Sequence, residues 1–205
     1  AASAGPAFEG SGVSCGMRAS NGAIERVRID PKSKKADVTV IGGSRPIGLC
    51  GSGMIDLLAE LWASGLLHPD GKLDPQTGGD RVQQADGGRH HAYAIIDAAD
   101  SDTGQPITID EKDIQNLLRT KAAVYSACAI MLRSVGLDLD AVAEVYVAGG
   151  FGRFLDLEKS IMIGLLPDLP LDRFTYLGNA ALTGAQAMLA SADNRRRAKQ
   201  LADRV

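Results

Sequence analysis

Three glycines within four positions, Gly149, Gly150 and Gly152, directly follow a mainly apolar run at 144–148. The valines and tyrosine of that run are strand-forming residues, so the sequence predicts a buried strand that ends in a glycine turn. Glycine adopts positive φ and allows a ligand to lie against the backbone. Ligands of open α/β sheets bind beyond the carboxyl ends of the strands. We therefore predict that this turn contacts a ligand.

Three further turns place glycine just before a predicted helix, at Gly5, at 48–53 and at Gly178-Asn179. The unpaired amide groups of a helix start attract phosphates. Glycine turns before helices are also ordinary packing devices, so for each of these three turns alone the structural interpretation is favoured. The turn at Gly149 differs because a strand precedes it and an aromatic residue and an arginine follow it.

Other site chemistries lack their sequence patterns. The chain contains no Gly-x-x-x-x-Gly-Lys-Ser/Thr phosphate loop, and the residues around Ser52 resemble a nucleophile elbow without its spacing. His90 and His91 are adjacent and cannot form a helical i, i+4 ligand pair, so solvent exposure is the favoured interpretation for them and for His68. We predict no metal site and assign no catalytic residue from the sequence.

The spacing of apolar residues, alternating in strands and at every third or fourth position in helices, predicts the elements that must position these turns. A hairpin is expected from the strands at 22–29 and 36–41, and a helix after Gly53 should place Ile55, Leu58, Leu61 and Trp62 on one side. Asp110 should cap a long helix that ends near Val135. The remaining predicted elements are strands at 93–97, 106–109 and 174–177, helices at 155–163 and 180–190, and an amphipathic terminal helix.

We expect one mixed sheet to contain the strands at 22–29, 36–41, 144–148 and 174–177, with the long helix across one face. Residues 69–92 are expected to form a solvated loop or insertion, since 69–88 contains mainly Gly, Asp, Gln and Pro. The chain begins at Ala1 within a glycine-containing loop and without methionine, so we expect a fragment of a longer protein.

Composition restricts the class of protein. The 205 residues are 45% hydrophobic and 23% charged with a net charge of −3, which is typical of a globular domain and carries no basic excess for nucleic acid. No apolar run is long enough to span a membrane. Cys15, Cys50 and Cys128 are widely spaced, which favours reduced thiols and a cytoplasmic location.

Several motifs, in order along the chain, resemble the C-terminal domain of the reductive activators of corrinoid proteins. They are Ala4-Gly-Pro-Ala-Phe-Glu-Gly10, Gly48-Leu-Cys-Gly-Ser-Gly53, Arg119-Thr-Lys-Ala-Ala123, Val147-Ala-Gly-Gly-Phe-Gly-Arg-Phe-Leu-Asp-Leu-Glu-Lys159, Gly164-Leu-Leu-Pro-Asp168 and Leu177-Gly-Asn-Ala-Ala-Leu-Thr-Gly-Ala185. The resemblance covers nearly the whole chain except 69–92. It implies an α/β fold with a ribonuclease H-like mixed sheet flanked by helices. The chain would be a single C-terminal domain, one half of an ATPase in the acetate and sugar kinase, heat-shock chaperone and actin superfamily.

The same resemblance implies roles for particular residues. Gly149, Gly150 and Phe151 match the turn that contacts adenosine, and Gly5 with Glu9 match the loop and helix beside the ribose and phosphates. Gly178 and Asn179 form a further candidate nucleotide contact. ATP or ADP with Mg²⁺ is the implied ligand, and the magnesium ligands are expected outside this chain.

The implied function is ATP-dependent reduction of an inactive Co(II) corrinoid to Co(I). The expected partners are a corrinoid protein and the upstream half of the same protein, and a 2Fe–2S cluster is expected only in an N-terminal domain that these residues do not include. Two alternatives stay open: a non-catalytic docking module for a corrinoid protein, and a small-molecule kinase of the same superfamily.

Overall fold

The computed structural model describes residues 5–149 and 152–203. Its backbone contacts group into two compact units, one formed by Ala1–Val142 and Leu155–Leu171 and the other by Ala143–Phe154 and Asp172–Val205. Among the described residues no helix is both long and apolar enough to cross a membrane. In chain order the elements are β1 (Ala23–Ile29), β2 (Ala36–Val40), β3 (Gly48–Leu49), α1 (Gly51–Ala63), α2 (Pro75–Gly78), β4 (Val82–Ala85), β5 (His90–Ile96), β6 (Ile107–Asp110), α3 (Glu111–Ser134), β7 (Val145–Ala148), α4 (Leu157–Met162), β8 (Phe174–Gly178), α5 (Ala180–Ala190) and α6 (Ala192–Ala202).

The first unit contains the predicted hairpin. Strands β1 and β2 pair antiparallel, and β3 adds to the other edge of β1 in parallel. The Asp30 carboxylate accepts hydrogen bonds from the backbone amides of Lys32 and Ser33. These bonds fix the turn between β1 and β2. The hairpin prediction is therefore confirmed.

Helix α1 is the centre of this unit's core. Ile55, Leu57 and Leu61 are fully buried in it, and its first turn passes very close to β1. A Cβ added at Gly53 would lie 2.2 Å from the carbonyl oxygen of Ile24. Trp62 is 47% exposed, whereas Ile55, Leu58 and Leu61, which were predicted to share its side of the helix, are buried.

A second, antiparallel sheet follows in the order β4-β5-β6. Residues 69–92 were predicted to be a solvated loop or insertion, and they include α2, β4 and the start of β5. Asp74 caps α2 by accepting the Gln76 amide, and β4 pairs with β5 over four residue pairs. The sequence signal was weak because only Val82 in β4 is buried.

Helix α3 matches its prediction at both ends. The Asp110 carboxylate accepts the Asp113 amide at 2.8 Å, and Gly136 follows the helix with a φ of +70°. Ile114 and Leu117 in the first half of the helix are fully buried. The carboxylates of Glu111 and Asp113 lie in the first turn of α3, where the helix dipole stabilises negative charge.

The second unit holds a two-stranded parallel sheet, β7-β8, followed by α5 and α6. The predicted sheet of four strands is wrong, because β1 and β2 belong to one sheet and β7 and β8 to another. The prediction that the 144–148 strand is buried is also wrong. Tyr146 is 59% exposed, and β7 alternates between half-buried and exposed positions.

Candidate functional site

The ends of β7 and β8 bring two predicted glycine positions together. The strands pair in parallel with Val147 opposite Tyr176 and Ala148 opposite Gly178. The Gly149 amide then donates a 2.6 Å hydrogen bond to the carbonyl oxygen of Gly178. Because both strands end at the same edge, their two turns lie side by side at the position where open α/β sheets bind ligands.

The backbone at these two glycines is not tightly packed against the described residues. Gly149 has a φ of +100° and Gly178 a φ of +63°, and, apart from each glycine and its two neighbours in the chain, no atom of the described residues lies within 4 Å of the point where either Cβ would be. Gly152 differs, because its Cβ would lie 2.7 Å from a methyl carbon of Val147. Gly152 is thus explained by packing, whereas Gly149 and Gly178 leave an open surface.

Asn179 begins helix α5. Its side-chain oxygen accepts the Leu182 amide at 3.1 Å, and its carbonyl oxygen accepts the Thr183 amide at 3.0 Å. This is the usual role of asparagine at a helix start. The side-chain NH₂ group of Asn179 has no acceptor among the described residues, so Asn179 can cap the helix and still donate to a ligand.

Gly5 and Glu9 lie in the first unit, on a single turn of 3₁₀ helix at Pro6–Glu9. Gly5 has a φ of +82°, and a Cβ there would come within 2.9 Å of a Thr120 methyl group on α3. Glu9 is exposed and has no ion-pair or hydrogen-bond partner among the described residues. Four residues are too few for the helix predicted here, so a helix dipole contributes little at this point.

The segment that follows the Glu9 turn is fastened to the first half of α3 by contacts that the sequence did not reveal. Ser14 donates its amide to Asp113 at 3.0 Å and its hydroxyl to the other oxygen of the same carboxylate. Asn116 donates to the carbonyl oxygen of Gly12 at 2.9 Å. The only sequence signal was an acidic residue in the first turn of α3, which local capping would also explain.

The turn at 48–53 is a packing device. A Cβ on Gly48 would lie 2.7 Å from the Cys15 carbonyl oxygen, and Gly53 is crowded by β1 as described above. Ser52 is 4% exposed, with its hydroxyl 3.4 Å from the Cys50 sulfur. The structural interpretation favoured from the sequence agrees with this geometry.

A buried charge cluster joins α1 to α4, and the sequence did not reveal it. Asp56 is 2% exposed and lies 3.3 Å from the Lys159 ammonium, which also contacts Glu60 at 3.0 Å. Burial raises the pKa of the Asp56 carboxyl, opposed by Lys159, by the Val27 amide and by Arg26. These contacts anchor α4 to α1.

His90 and His91 face a carboxylate. Each has its Nδ1 3.6 Å from a carboxylate oxygen of Glu111, which is 4% exposed and pairs with Lys72 at 3.1 Å. The predicted solvent exposure is only partly right, since the two histidine side chains are 28% and 31% exposed. In the part of the chain that the structure describes, no group of three or more His, Cys, Asp or Glu residues could hold a metal ion.

The structure thus brings Gly149, Gly178 and Asn179 together in one unit and places Gly5 and Glu9 in the other. Gly150 and Phe151 lie outside the described residues. Their assignment to the adenosine contact remains a prediction.

Comparison with known proteins identifies the domain. The family described as the C-terminal domain of RACo, the ASKHA domain, matches residues 1–205. A solved structure titled "Reductive activator for corrinoid,iron-sulfur protein" superposes with a TM-score of 0.90 at 43% identity, covering 98% of this chain and 32% of that one.

Two curated relatives agree with that match. The corrinoid activation enzyme RamQ of Eubacterium limosum is 35% identical over 91% of this chain, and the [Co(II) methylated amine-specific corrinoid protein] reductase of Methanosarcina barkeri is 25% identical over 92%. The chain spans 32% and 34% of their respective lengths, about a third. The family and the actin-like α/β fold expected from the motifs are therefore confirmed: this chain belongs to the family of RACo C-terminal domains, with the ASKHA fold of actin-like ATPases.

Proposed function

We propose that this chain is the nucleotide-binding half of an ATP-dependent reductive activator of corrinoid proteins. In the intact protein it would serve the one-electron reduction of Co(II) to Co(I). The observation that carries the proposal is the pairing of the Gly149 and Gly178 turns at the ends of two parallel strands, with open space at both Cβ positions. The matched relatives are named as activators and reductases of corrinoid proteins, which supports the reaction.

The surface at these turns suits an adenosine group. Two glycines without Cβ atoms present flat backbone to a ring, and the Asn179 NH₂ group supplies a hydrogen-bond donor beside them. We propose that Gly149, Gly150 and Phe151 hold the adenosine and that Gly178 and Asn179 complete its contact. Gly5 and Glu9 are proposed to lie near the ribose and phosphates.

The phosphate chemistry would depend on other parts of the intact protein. Phosphoryl transfer uses a metal-bridged phosphate, and none of the carboxylates in the described residues belongs to a cluster of metal-binding type. We propose that the magnesium ligands and the iron–sulfur cluster that supplies the electron lie outside residues 1–205. This chain then binds and orients the nucleotide, and its partners are the other half of the ATPase and a corrinoid protein.

Calorimetry on the intact protein tests the nucleotide site. Gly149→Ala introduces a Cβ into the proposed ring contact, and we expect the affinity for ADP and for Mg-ATP to fall by about tenfold or more, about 1.4 kcal/mol. Gly136→Ala is the matched control, because Gly136 also has a positive φ and an open Cβ position but follows α3. Equal affinities of the wild type and the Gly149 variant would reject the site.

A second assay tests the reaction. The intact protein should increase the rate at which the corrinoid iron–sulfur protein changes from its Co(II) to its Co(I) absorption spectrum when a reductant and Mg-ATP are present. Gly149→Ala should remove most of the ATP stimulation, and Gly136→Ala should retain it. Corrinoid reduction that does not respond to ATP, or ATP turnover that rises instead with a sugar or acetate, would reject the activator and favour the kinase alternative.

A further inference from the structure

Two motifs that the nucleotide site leaves unexplained meet on the first unit. They are Arg119-Thr-Lys-Ala-Ala123 on α3 and Gly164-Leu-Leu-Pro-Asp168 after α4. A Cβ added at Gly164 would lie 3.5 Å from the ammonium nitrogen of Lys121. Gly164 has a φ of +71°, which is usual for a glycine that follows a helix. The charged end of Lys121 therefore lies beside the end of α4.

Lys121 also lines a depression of about 180 Å³ that is formed by α1, the segment 67–69, α3 and the end of α4. Leu58, Leu67 and Ile163 line the same depression, and all three are buried. Trp62 lines it as well and is about half exposed. The depression is thus an apolar hollow with one cation beside it, and its walls come from four packed segments.

The charge of Lys121 is not balanced within the described part of the chain. Its ammonium has no ion pair and no hydrogen bond there, and none of the nine residues that line the depression is acidic. Lys72 and Lys159 in the same unit do have carboxylate partners. An unpaired charge held away from water is costly, and Lys121 is half-buried. The depression therefore favours a bound anion.

His68 supplies a further hydrogen-bond donor, because it lines the same depression and a neutral imidazole carries one N–H group. One cation and one neutral donor match a ligand with a single negative charge. A phosphate monoester carries up to two charges, and the second charge would lack a partner in an apolar hollow. The two oxygens of a carboxylate suit the two donors.

We propose that this depression binds a small carboxylic acid with an apolar body, in its ionised form. The carboxylate would contact Lys121 and His68, and the apolar body would lie on Leu58, Leu67 and Ile163. An apolar cavity of about 150 Å³ holds a benzene molecule, so a six-membered ring or a short alkyl chain fits the volume.

The size of the depression separates this ligand from larger ones. Sites for drug-sized molecules span about 300–1,000 Å³, so a nucleotide is too large for it. A stable protein interface buries about 800 Å² per partner, which a hollow of this size cannot supply. The proposed site also shares no residue with the Gly149 and Gly178 turns, and it does not depend on the proposed function.

Benzoate is a suitable test ligand, because it combines one carboxylate with one apolar ring. Calorimetry on the intact protein should give a dissociation constant of about 0.1–1 mM, since so small a ligand gains little binding energy in total. Lys121→Met keeps most of the side-chain length and removes the charge, so it should weaken benzoate binding by about tenfold or more. Lys32→Met, on an exposed lysine outside the depression, should bind benzoate like the wild type.

Benzamide provides a test that requires no variant. It has nearly the shape of benzoate without the charge, so it should bind the wild type about tenfold or more weakly than benzoate does. In nuclear magnetic resonance spectra, benzoate should also shift the indole N–H signal of Trp62, which Trp62→Phe identifies by its loss.

Several results would overturn the inference. They are no benzoate binding at about 10 mM, equal benzoate affinities of the wild type and Lys121→Met, or equal affinities for benzoate and benzamide. Displacement of benzoate by ADP would also overturn it, because the depression would then belong to the nucleotide site. ADP affinity should be the same in Lys121→Met as in the wild type, so failure of this inference leaves the nucleotide site intact.

Discussion

The Lys159 ammonium donates to the Val27 carbonyl oxygen at 2.9 Å while lying 3.3 Å from the buried Asp56 carboxylate. One side chain thus joins α4 to α1 and β1 across 132 residues of sequence. Because Asp56 is 2% exposed, its charge needs this partner. Helix α4 is consequently held by a specific ionic contact.

Lys159→Met should therefore destabilise the first unit. Removing the Lys159 ammonium leaves the buried Asp56 carboxylate with the Arg26 guanidinium, 3.6 Å away, as its remaining cation among the described residues, and breaking a buried ion pair costs about 3 kcal/mol. Urea denaturation monitored by Trp62 fluorescence measures the loss. Lys32→Met is the matched control, since Lys32 is exposed and has no ion pair among the described residues, and a Lys159 variant as stable as that control would contradict the ionic anchor.

Gly53→Ala should disrupt the contact of α1 with β1. Its Cβ would lie 2.2 Å from a backbone oxygen, which cannot move as the end of a side chain can. We expect a loss of about 3 kcal/mol in unfolding free energy. The Cβ of Gly184→Ala in α5 meets no atom of the other described residues within 4 Å, so this change should instead stabilise its helix by about 0.5–1 kcal/mol. Thermal unfolding followed by circular dichroism distinguishes the two variants. An unchanged melting temperature for Gly53→Ala would show that α1 and β1 can move apart to accommodate the Cβ.

Glu111 should make stability depend on pH. Burial acts to raise the pKa of its carboxyl, but the Leu73 amide and Lys72 together lower the pKa below the ordinary value of 4.5. A lowered pKa means that the stabilisation is present above the ordinary value and is lost as pH falls through the folded-state value. Glu111→Gln should therefore cost about 2 kcal/mol at neutral pH and less at an acidic pH below the folded-state pKa of the carboxyl.

Urea denaturation at both pH values measures that difference. Asp102→Asn, on an exposed residue, should leave the pH profile of the wild type unchanged. If the Glu111 variant lost equal stability at both pH values, the effect would come from packing and not from the carboxylate charge.

Tyr93→Phe tests a buried hydrogen bond. Tyr93 is fully buried, and its hydroxyl donates to the Lys34 carbonyl oxygen at 2.8 Å in the turn after β1. Removing the hydroxyl leaves that oxygen without its donor, so we expect a loss of about 1 kcal/mol. Tyr125→Phe on exposed α3 should cost almost nothing, and equal midpoints in urea for the two variants would reject a role for the Tyr93 hydroxyl.

Local patterns predicted the individual elements well. The β1–β2 hairpin, the Asp110 cap of α3 and the helix that begins after Asn179 all depend on residues close in sequence. Side-chain alternation and capping act within a few residues, so they are visible in the chain itself. The fold class was predicted from the motifs that resemble the activator family, and each of these motifs is also a short local stretch of sequence.

Features that depend on contacts between residues far apart in the sequence were harder to predict. The grouping of strands into sheets failed because pairing partners are chosen by tertiary packing. Asp56 looked like an ordinary polar position of α1, since its partner Lys159 lies far along the chain. At the candidate site, Gly149 and Gly178 were predicted, but their direct hydrogen bond required the parallel register of β7 and β8.

The route of the chain between the two units also limits how the domain can be divided. Residues 155–171 return to the first unit after the first strand of the second, so the chain passes between the units three times. A protease that cuts between Val142 and Ala143 would leave α4 attached to the C-terminal fragment, while its Lys159 contacts hold it to the N-terminal fragment. The two units are therefore interleaved in sequence and cannot be expressed as two separate consecutive segments.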